Sequence, residues 1–359
     1  MSPIINVVEP TLMSQAGHCF SFVSALCKAS DERNMLRLWV GRHADLAFTE
    51  KNIQIRNYFF RKIRRLQGYW LYRQLLATPE KLFISTAGRM DLILLDWAAK
   101  GVIPPGKVYL YFHWFNANDR KLASLQELAR KQPNLVIFGP TVSVVKLFQD
   151  AGFGHASIVS YPISHSAGIQ QSANNEFSHL LYAGAARQDK GFAQVVDLVE
   201  YLHGLGIEVP IVMQISGEHY GKYDAATQAD IQRLKAIEHP KLQLHSETLS
   251  PNEYARLFAG AICLQLYDPK IFADRISGVT LDAFSEGSPV IGTAGTWIAR
   301  MVQRFDAGME VKNSVAAEVW LAVQKVITEY AHYHQKARAA GSILQEENSA
   351  KTLYQALAS

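Results

Sequence analysis

The chain has 359 residues, 48% of them apolar and 19% charged, with a formal net charge of +4. That length exceeds what one hydrophobic core usually serves, so two domains are expected, and the ordinary composition excludes a disordered or fibrous chain. Charge is uneven: residues 1–165 carry 20 Lys or Arg against 11 Asp or Glu, giving +9, while the remaining 16 and 21 give −5.

The opening MSPIINVVEP has no basic region followed by a long apolar run, so no signal peptide is expected. Strands are expected at Ile4–Val8, Leu36–Val40, Leu82–Thr86, Val108–Phe112, Leu135–Phe138 and Ser157–Tyr161, with helices between them such as Ser14–Lys28 and Asp119–Lys131. Short apolar strands alternating with helices imply a mainly parallel sheet covered on both faces. Within this half Arg56–Leu76 reads as one basic amphipathic helix. Phe59, Phe60, Ile63, Leu66, Trp70 and Leu71 share one side, expected to pack on the sheet. Arg61, Lys62, Arg64, Arg65 and Arg73 share the other, with three tyrosines, and are expected to face solvent or an anionic membrane surface. Gly68 is a candidate break in that helix.

The polar stretch 164–175 reads as a linker. The alternation restarts at His179–Ala183 and continues through helix Phe192–His203, strands Pro210–Ile215, Leu242–His245 and Ala261–Tyr267, helix Leu281–Ser285 and strand Val290–Gly292. From Val315 the tail is helical, ending at Thr352–Leu357. The expected domains are 1–165, 166–342 and a closing helical segment, 343–359, that packs back on the first. Two such units place a ligand cleft at the ends of their strands. Cys19, Cys27 and Cys263 are scattered without CxxC spacing, which argues against a disulfide framework or zinc site and fits a reducing cytoplasm. No apolar run reaches the roughly 20 residues needed to span a bilayer. The expected location is cytoplasmic, with peripheral attachment at the inner membrane through the basic segment.

Three stretches carry chemistry. YAGAARQDKGF (182–192) places small residues Gly184, Ala185 and Ala186 at a strand end, then Arg187, Lys190 and Gly191 before a helix. Two cations at a helix N-terminus suit a diphosphate, and Lys190 pairing with Asp189 in a solvated turn is the plain alternative. DRISGVTLDAFSEGSPVIGT (274–293) sets Asp274 and Asp282 eight apart around a glycine-led helix start. Ionised carboxylates only accept hydrogen bonds, so the pair suits sugar hydroxyls. A helix-capping Asp282 and a surface pair of Asp274 with Arg275 are the plain alternatives. Glu218–His219 after Gly217 is read as a polar loop. No GxGxxG, Walker loop, DxD or HExxH occurs, so no nicotinamide cofactor and no metal clamp is expected.

Taken together, Gly184…Lys190–Gly191, Asp274-x7-Asp282 and Gly287–Thr293 resemble the C-terminal domain of retaining glycosyltransferases of the GT-B fold, the family 4 type. Gln15–Ala16–Gly17–His18 resembles that family's N-terminal glycine loop, and Phe112–His113–Trp114 its acceptor-side histidine. Both family glutamates are aspartates here, and Ala185 stands where the family often has arginine. The resemblance implies two Rossmann-like α/β domains facing each other across a cleft and a metal-independent transfer of a hexose. The donor would be a UDP or GDP sugar, with no separate cofactor, and the acceptor a saccharide or a lipid-linked saccharide in polysaccharide synthesis. It implies catalytic roles for Arg187, Lys190, Asp274 and His113. It implies donor contacts from Gly17, Gly184, Gly278, Val279, Thr280 and Asp282. A non-catalytic nucleotide-sugar binder and a nucleotide-sugar epimerase are the alternatives, and nucleic acid is not expected as a partner.

Overall fold

The computed structural model describes residues 3–15, 17–163, 176–216, 223–247 and 249–359, so the expected linker 164–175 and the loop at Gly217–His219 lie outside the described residues. The chain divides into two compact units, residues 1–165 with 347–359, and residues 166–346.

In the first unit the strands are β1 (Ile4–Val8), β2 (Met35–Gly41), β3 (Ile53–Phe59), β4 (Lys81–Ile84), β5 (Val108–Tyr111), β6 (Val136–Gly139) and β7 (His155–Ile158). Between them run α1 (His18–Ala29), α2 (Arg64–Leu76), α3 (Arg89–Ala98), α4 (Asp119–Lys131) and α5 (Val142–Asp150). The strands pair in parallel in the order β3-β2-β1-β4-β5-β6-β7. Their apolar runs are buried on both faces: all four residues of β5 lie in the core. Such strands need helices on each side, which the βαβ alternation supplies.

The second unit repeats the plan. It holds β8 (His179–Tyr182), α6 (Phe192–Gly204), β9 (Ile211–Gln214), α7 (Ala225–Ala236), β10 (Leu242–His245), α8 (Pro251–Arg256) and β11 (Ala261–Gln265). Then come α9 (Pro269–Phe272), α10 (Gly278–Ser285), β12 (Val290–Thr293), α11 (Trp297–Phe305), β13 (Gly308–Val311), α12 (Ala316–Thr328) and α13 (Tyr330–Glu347). The parallel order is β10-β9-β8-β11-β12-β13. After Glu347 the chain belongs to the first unit, and its last helix, α14 (Ala350–Ala358), packs on α1. Leu353 and Leu357 are fully buried there, and the Tyr354 hydroxyl donates to Asp31 at 2.7 Å. Among the described residues no helix is long and apolar enough to cross a membrane.

In both sheets the order runs outward in opposite directions from two central strands, β1 and β4 in one, β8 and β11 in the other. Such a reversal leaves a crevice outside the carboxyl ends of those strands, where open α/β sheets bind ligands.

One expected element changes character. Arg56–Leu76 is not a single helix: Ile53–Phe59 is the edge strand β3, a turn comes next, and α2 begins at Arg64. Apolar Ile53 and Ile55 alternate with polar Gln54 and Arg56, a period-2 signal that the helical reading of the adjoining residues masked. Phe59 is buried at the strand end, and Leu71 faces the core, but Phe60, Ile63, Leu66 and Trp70 are exposed rather than packed on the sheet. Gly68 does not break α2. It is buried, with Leu94 of α3 at 3.7 Å from where its Cβ would stand.

Candidate functional site

Loops leaving the carboxyl ends of β8 and β11 line the crevice of the second unit. Beyond β8 the backbone turns through Gly184 at φ +98°, a conformation that favours glycine, and its N–H donates to Gln214 at the end of β9 (2.8 Å). The 3-10 turn Gln188–Lys190 then leads to Gly191 at φ +70°, which opens α6. A Cβ on Gly191 would stand 2.1 Å from the Leu266 carbonyl oxygen, so only glycine lets this turn lie against the end of β11.

A Cβ on Gly184 would meet Lys190 Nζ at 3.4 Å and Val279 Cγ2 at 3.5 Å. Thus the glycine, the ammonium and the first turn of α10 converge on one spot. Lys190 Nζ also stands over the Tyr267 ring, 5.9 Å from its centroid. Arg187 is held by Asp189 through two hydrogen bonds, Nε to Oδ1 at 2.7 Å and Nη2 to Oδ2. Asp189 therefore pairs with Arg187 in an Arg–carboxylate fork, which the planar guanidinium fits.

Helix α10 begins at Gly278, earlier than the expected Leu281. Ser277 is its N-cap and accepts from Thr280 N. Asp282 lies within the helix and caps nothing. The Thr280 side chain is fully buried, and its hydroxyl donates to Gln265 at 2.6 Å, so that side chain serves the helix start. Gly278 and Val279 occupy the first two helical positions, whose N–H groups have no intrahelical acceptor and suit an anion.

Asp282 sits one turn further on and accepts from the Tyr254 hydroxyl at 3.3 Å. Surrounding protein withdraws its carboxyl from water and pushes it up to about 7, with the Tyr254 bond opposing and Glu286 repulsion adding. Asp274, in the loop before α10, pairs with Arg300 of α11 at 2.7 Å. The Arg275 guanidinium lies over Phe272, 4.9 Å from its centroid.

The crevice of the first unit is built differently. Glu9 ends β1, is 1% exposed, and its carboxylate accepts from the hydroxyls of Thr11 (2.6 Å), Ser85 (2.8 Å) and Thr86. His113, just beyond β5, is half-buried, and its Nε2 is 2.9 Å from the Ser85 carbonyl. A carbonyl only accepts, so Nε2 carries the proton. His18, beside Gly17 at φ +83°, meets the His113 ring edge-on at 6.2 Å. Sequence reasoning named the Gly17 loop and His113 separately but gave no role to Glu9, Ser85 or Thr86. The available signal was an acid at the end of an apolar parallel strand, which must find donors when buried.

Among the described residues no group of three or more His, Cys, Asp or Glu side chains is arranged to hold a metal ion.

No protein-family profile and no curated protein matches the chain. Solved structures do match in fold. Anabaena HepE in complex with UDP aligns with a TM-score of 0.67 at 15% identity, covering 98% of this chain and 97% of that one. Trehalose-6-phosphate synthase OtsA aligns at 0.71 and 11%, covering 99% and 97%. WaaG, a glycosyltransferase involved in lipopolysaccharide biosynthesis, aligns at 0.70 and 12%, covering 98% of each chain. The chain has the GT-B fold of glycosyltransferases.

Proposed function

We propose that this protein is a retaining glycosyltransferase that moves a hexose from a nucleotide-diphosphate sugar, of the UDP type, to a saccharide or lipid-linked acceptor. The observation that carries this reading is the meeting of Gly184, the Lys190 ammonium and the start of α10 at the point where the second sheet reverses order. A close backbone approach, a cation and two helix-end N–H groups make a seat for a diphosphate. The UDP and UDP-glucose bound in the HepE structures support the choice of donor class.

In this reading the bond between the sugar's anomeric carbon and the diphosphate oxygen breaks, and the acceptor oxygen bonds that carbon on the same face. The acceptor's proton passes to the departing phosphate oxygen. Negative charge grows on the diphosphate as the bond breaks, so Lys190, and Arg187 beside it, stabilise the transition state more than the ground state. Asp282 accepts from the ribose hydroxyls and Asp274 from the sugar hydroxyls. His113 contacts the transferred sugar, and the Gly17 loop contacts the donor phosphate. Charge neutralisation by side chains and helix N–H groups makes the transfer metal-independent.

The test is a thermal-shift panel of UDP, GDP, ADP and their sugar conjugates, followed by transfer assays with the donor that binds. A ligand that binds only the native state raises the unfolding midpoint by mass action. The reading requires a rise with UDP conjugates and an α-linked product from an α-linked donor. A flat panel removes the nucleotide-sugar assignment, binding without transfer removes the enzyme, and an inverted product removes retention.

A further inference from the structure

Between Lys51 and Pro79 the chain holds seven Lys or Arg and no Asp or Glu. The middle of this run, Phe60 to Leu66, is exposed at every position. The apolar members are large: Phe60 is 45% exposed, Ile63 48%, Leu66 59% and Trp70 56%. Ile63, Leu66 and Trp70 are spaced i, i+3, i+7 and so share one face of α2 and its entry turn. Arg61, Lys62, Arg64, Arg65 and Arg73 flank them. The arrangement is fixed rather than frayed. Gln67 accepts from Phe60 N–H at 2.7 Å and donates to the Tyr58 carbonyl at 2.8 Å, and Ile63 N–H closes the turn on the Phe60 carbonyl at 3.2 Å. The opposite face of the helix is anchored by the buried Leu71, Tyr72 and Leu75, with the Tyr72 hydroxyl donating to Asp91 of α3 at 2.8 Å.

Half-exposed aliphatic and aromatic side chains are costly in water, and here each sits beside a long cation. That combination matches the boundary of an anionic bilayer, where apolar tips enter the acyl region and guanidinium and ammonium groups stay at the phosphates. Ile63 and Leu66 offer no stacking face to a base, which weighs against nucleic acid. Unrelieved like charge weighs against a second copy of the same patch. We infer that the turn Phe60–Ile63 and the exposed face of α2 form a peripheral docking surface for anionic lipid. Phe60, Ile63, Leu66 and Trp70 insert and the five cations bind headgroup phosphates. The inference stands apart from the transfer reading, because vesicle binding needs neither donor nor acceptor.

The test is co-sedimentation with vesicles of phosphatidylcholine containing phosphatidylglycerol, against phosphatidylcholine alone. Tryptophan emission is followed in parallel with acyl-brominated lipid. Arg64→Glu/Arg65→Glu should weaken binding to anionic vesicles by about 10-fold or more. Leu66→Ser/Trp70→Ser should weaken it comparably and remove part of the bromine quenching. All four positions are exposed, and unchanged melting curves will verify that both variants fold. Equal binding to the two vesicle types overturns the inference, as does anionic binding that neither variant changes. Two other results also overturn it: binding to single-stranded nucleic acid in place of vesicles at the same ionic strength, or a dimer in solution that both variants dissolve.

Discussion

In the second unit the loops that leave β8 and β11 bring Gly184, Lys190 and the start of α10 together. In the first, the corresponding central strands end in Glu9 and Ser85–Thr86, an acid closed off by three hydroxyls. Both sheets have the same order about their central strands, so topology puts a crevice in each. The residues then decide the sign of its field. One crevice carries a cation and a helix N-terminus and suits phosphate. The other carries a buried carboxylate and two histidines and suits a neutral, hydroxyl-bearing molecule.

The largest effect that bears on this contrast is expected at Lys190. Lys190→Ala should lower the transfer rate by about 100- to 1000-fold, the range seen when one group aimed at developing charge is removed. Steady-state assays that return wild-type rates for this variant would erase the distinction between the two crevices. Next in size is Glu9→Gln, which replaces an acceptor of three hydroxyl bonds with an amide that presents donors to some of them. It should reduce stability by about 1–3 kcal/mol in chemical denaturation and leave the UDP dissociation constant unchanged. A large loss of UDP affinity in this variant would mean that the first unit's acid takes part in nucleotide binding. A smaller effect is expected from Asp282→Asn, about 10-fold in nucleotide affinity, or about 1.4 kcal/mol. Only the ionised carboxylate accepts through both oxygens, and its carboxyl is pushed up to about 7. Wild-type affinity should therefore be full above that pH and fall as the pH drops through it. Calorimetry on the variant should show this limb of the profile flat.

The legibility of each feature in the sequence depends on how local it is. The bounds of β1 are readable to the residue, and Gly184 and Lys190 lie within one short stretch, so the sequence carries both, whereas Val279 reaches them only through the fold. Strand β3 is hidden because its alternation runs directly into a second apolar stretch with helical spacing. The partners of Glu9 are non-local: Ser85 is 76 residues away and meets it only because β4 pairs with β1. Asp274 likewise finds Arg300 26 residues on. The start of α10 lies three residues before the expected one because Ser277 as a cap is recognisable only once the Gln265 contacts of its first turn are known. Four of the six residues expected to pack on the sheet, Phe60, Ile63, Leu66 and Trp70, are exposed, since a helical wheel gives which residues share a side but not which of them the sheet covers.

The central claim is that the crevice of the second unit holds a nucleotide through its diphosphate, by way of Lys190. Titration calorimetry with UDP and with uridine, on the wild type and on Lys190→Ala, addresses it most directly. The account predicts that the wild type binds UDP far more tightly than uridine and that most of that gap closes in the variant. A wild type that prefers neither ligand, or a gap of undiminished size in Lys190→Ala, would contradict it.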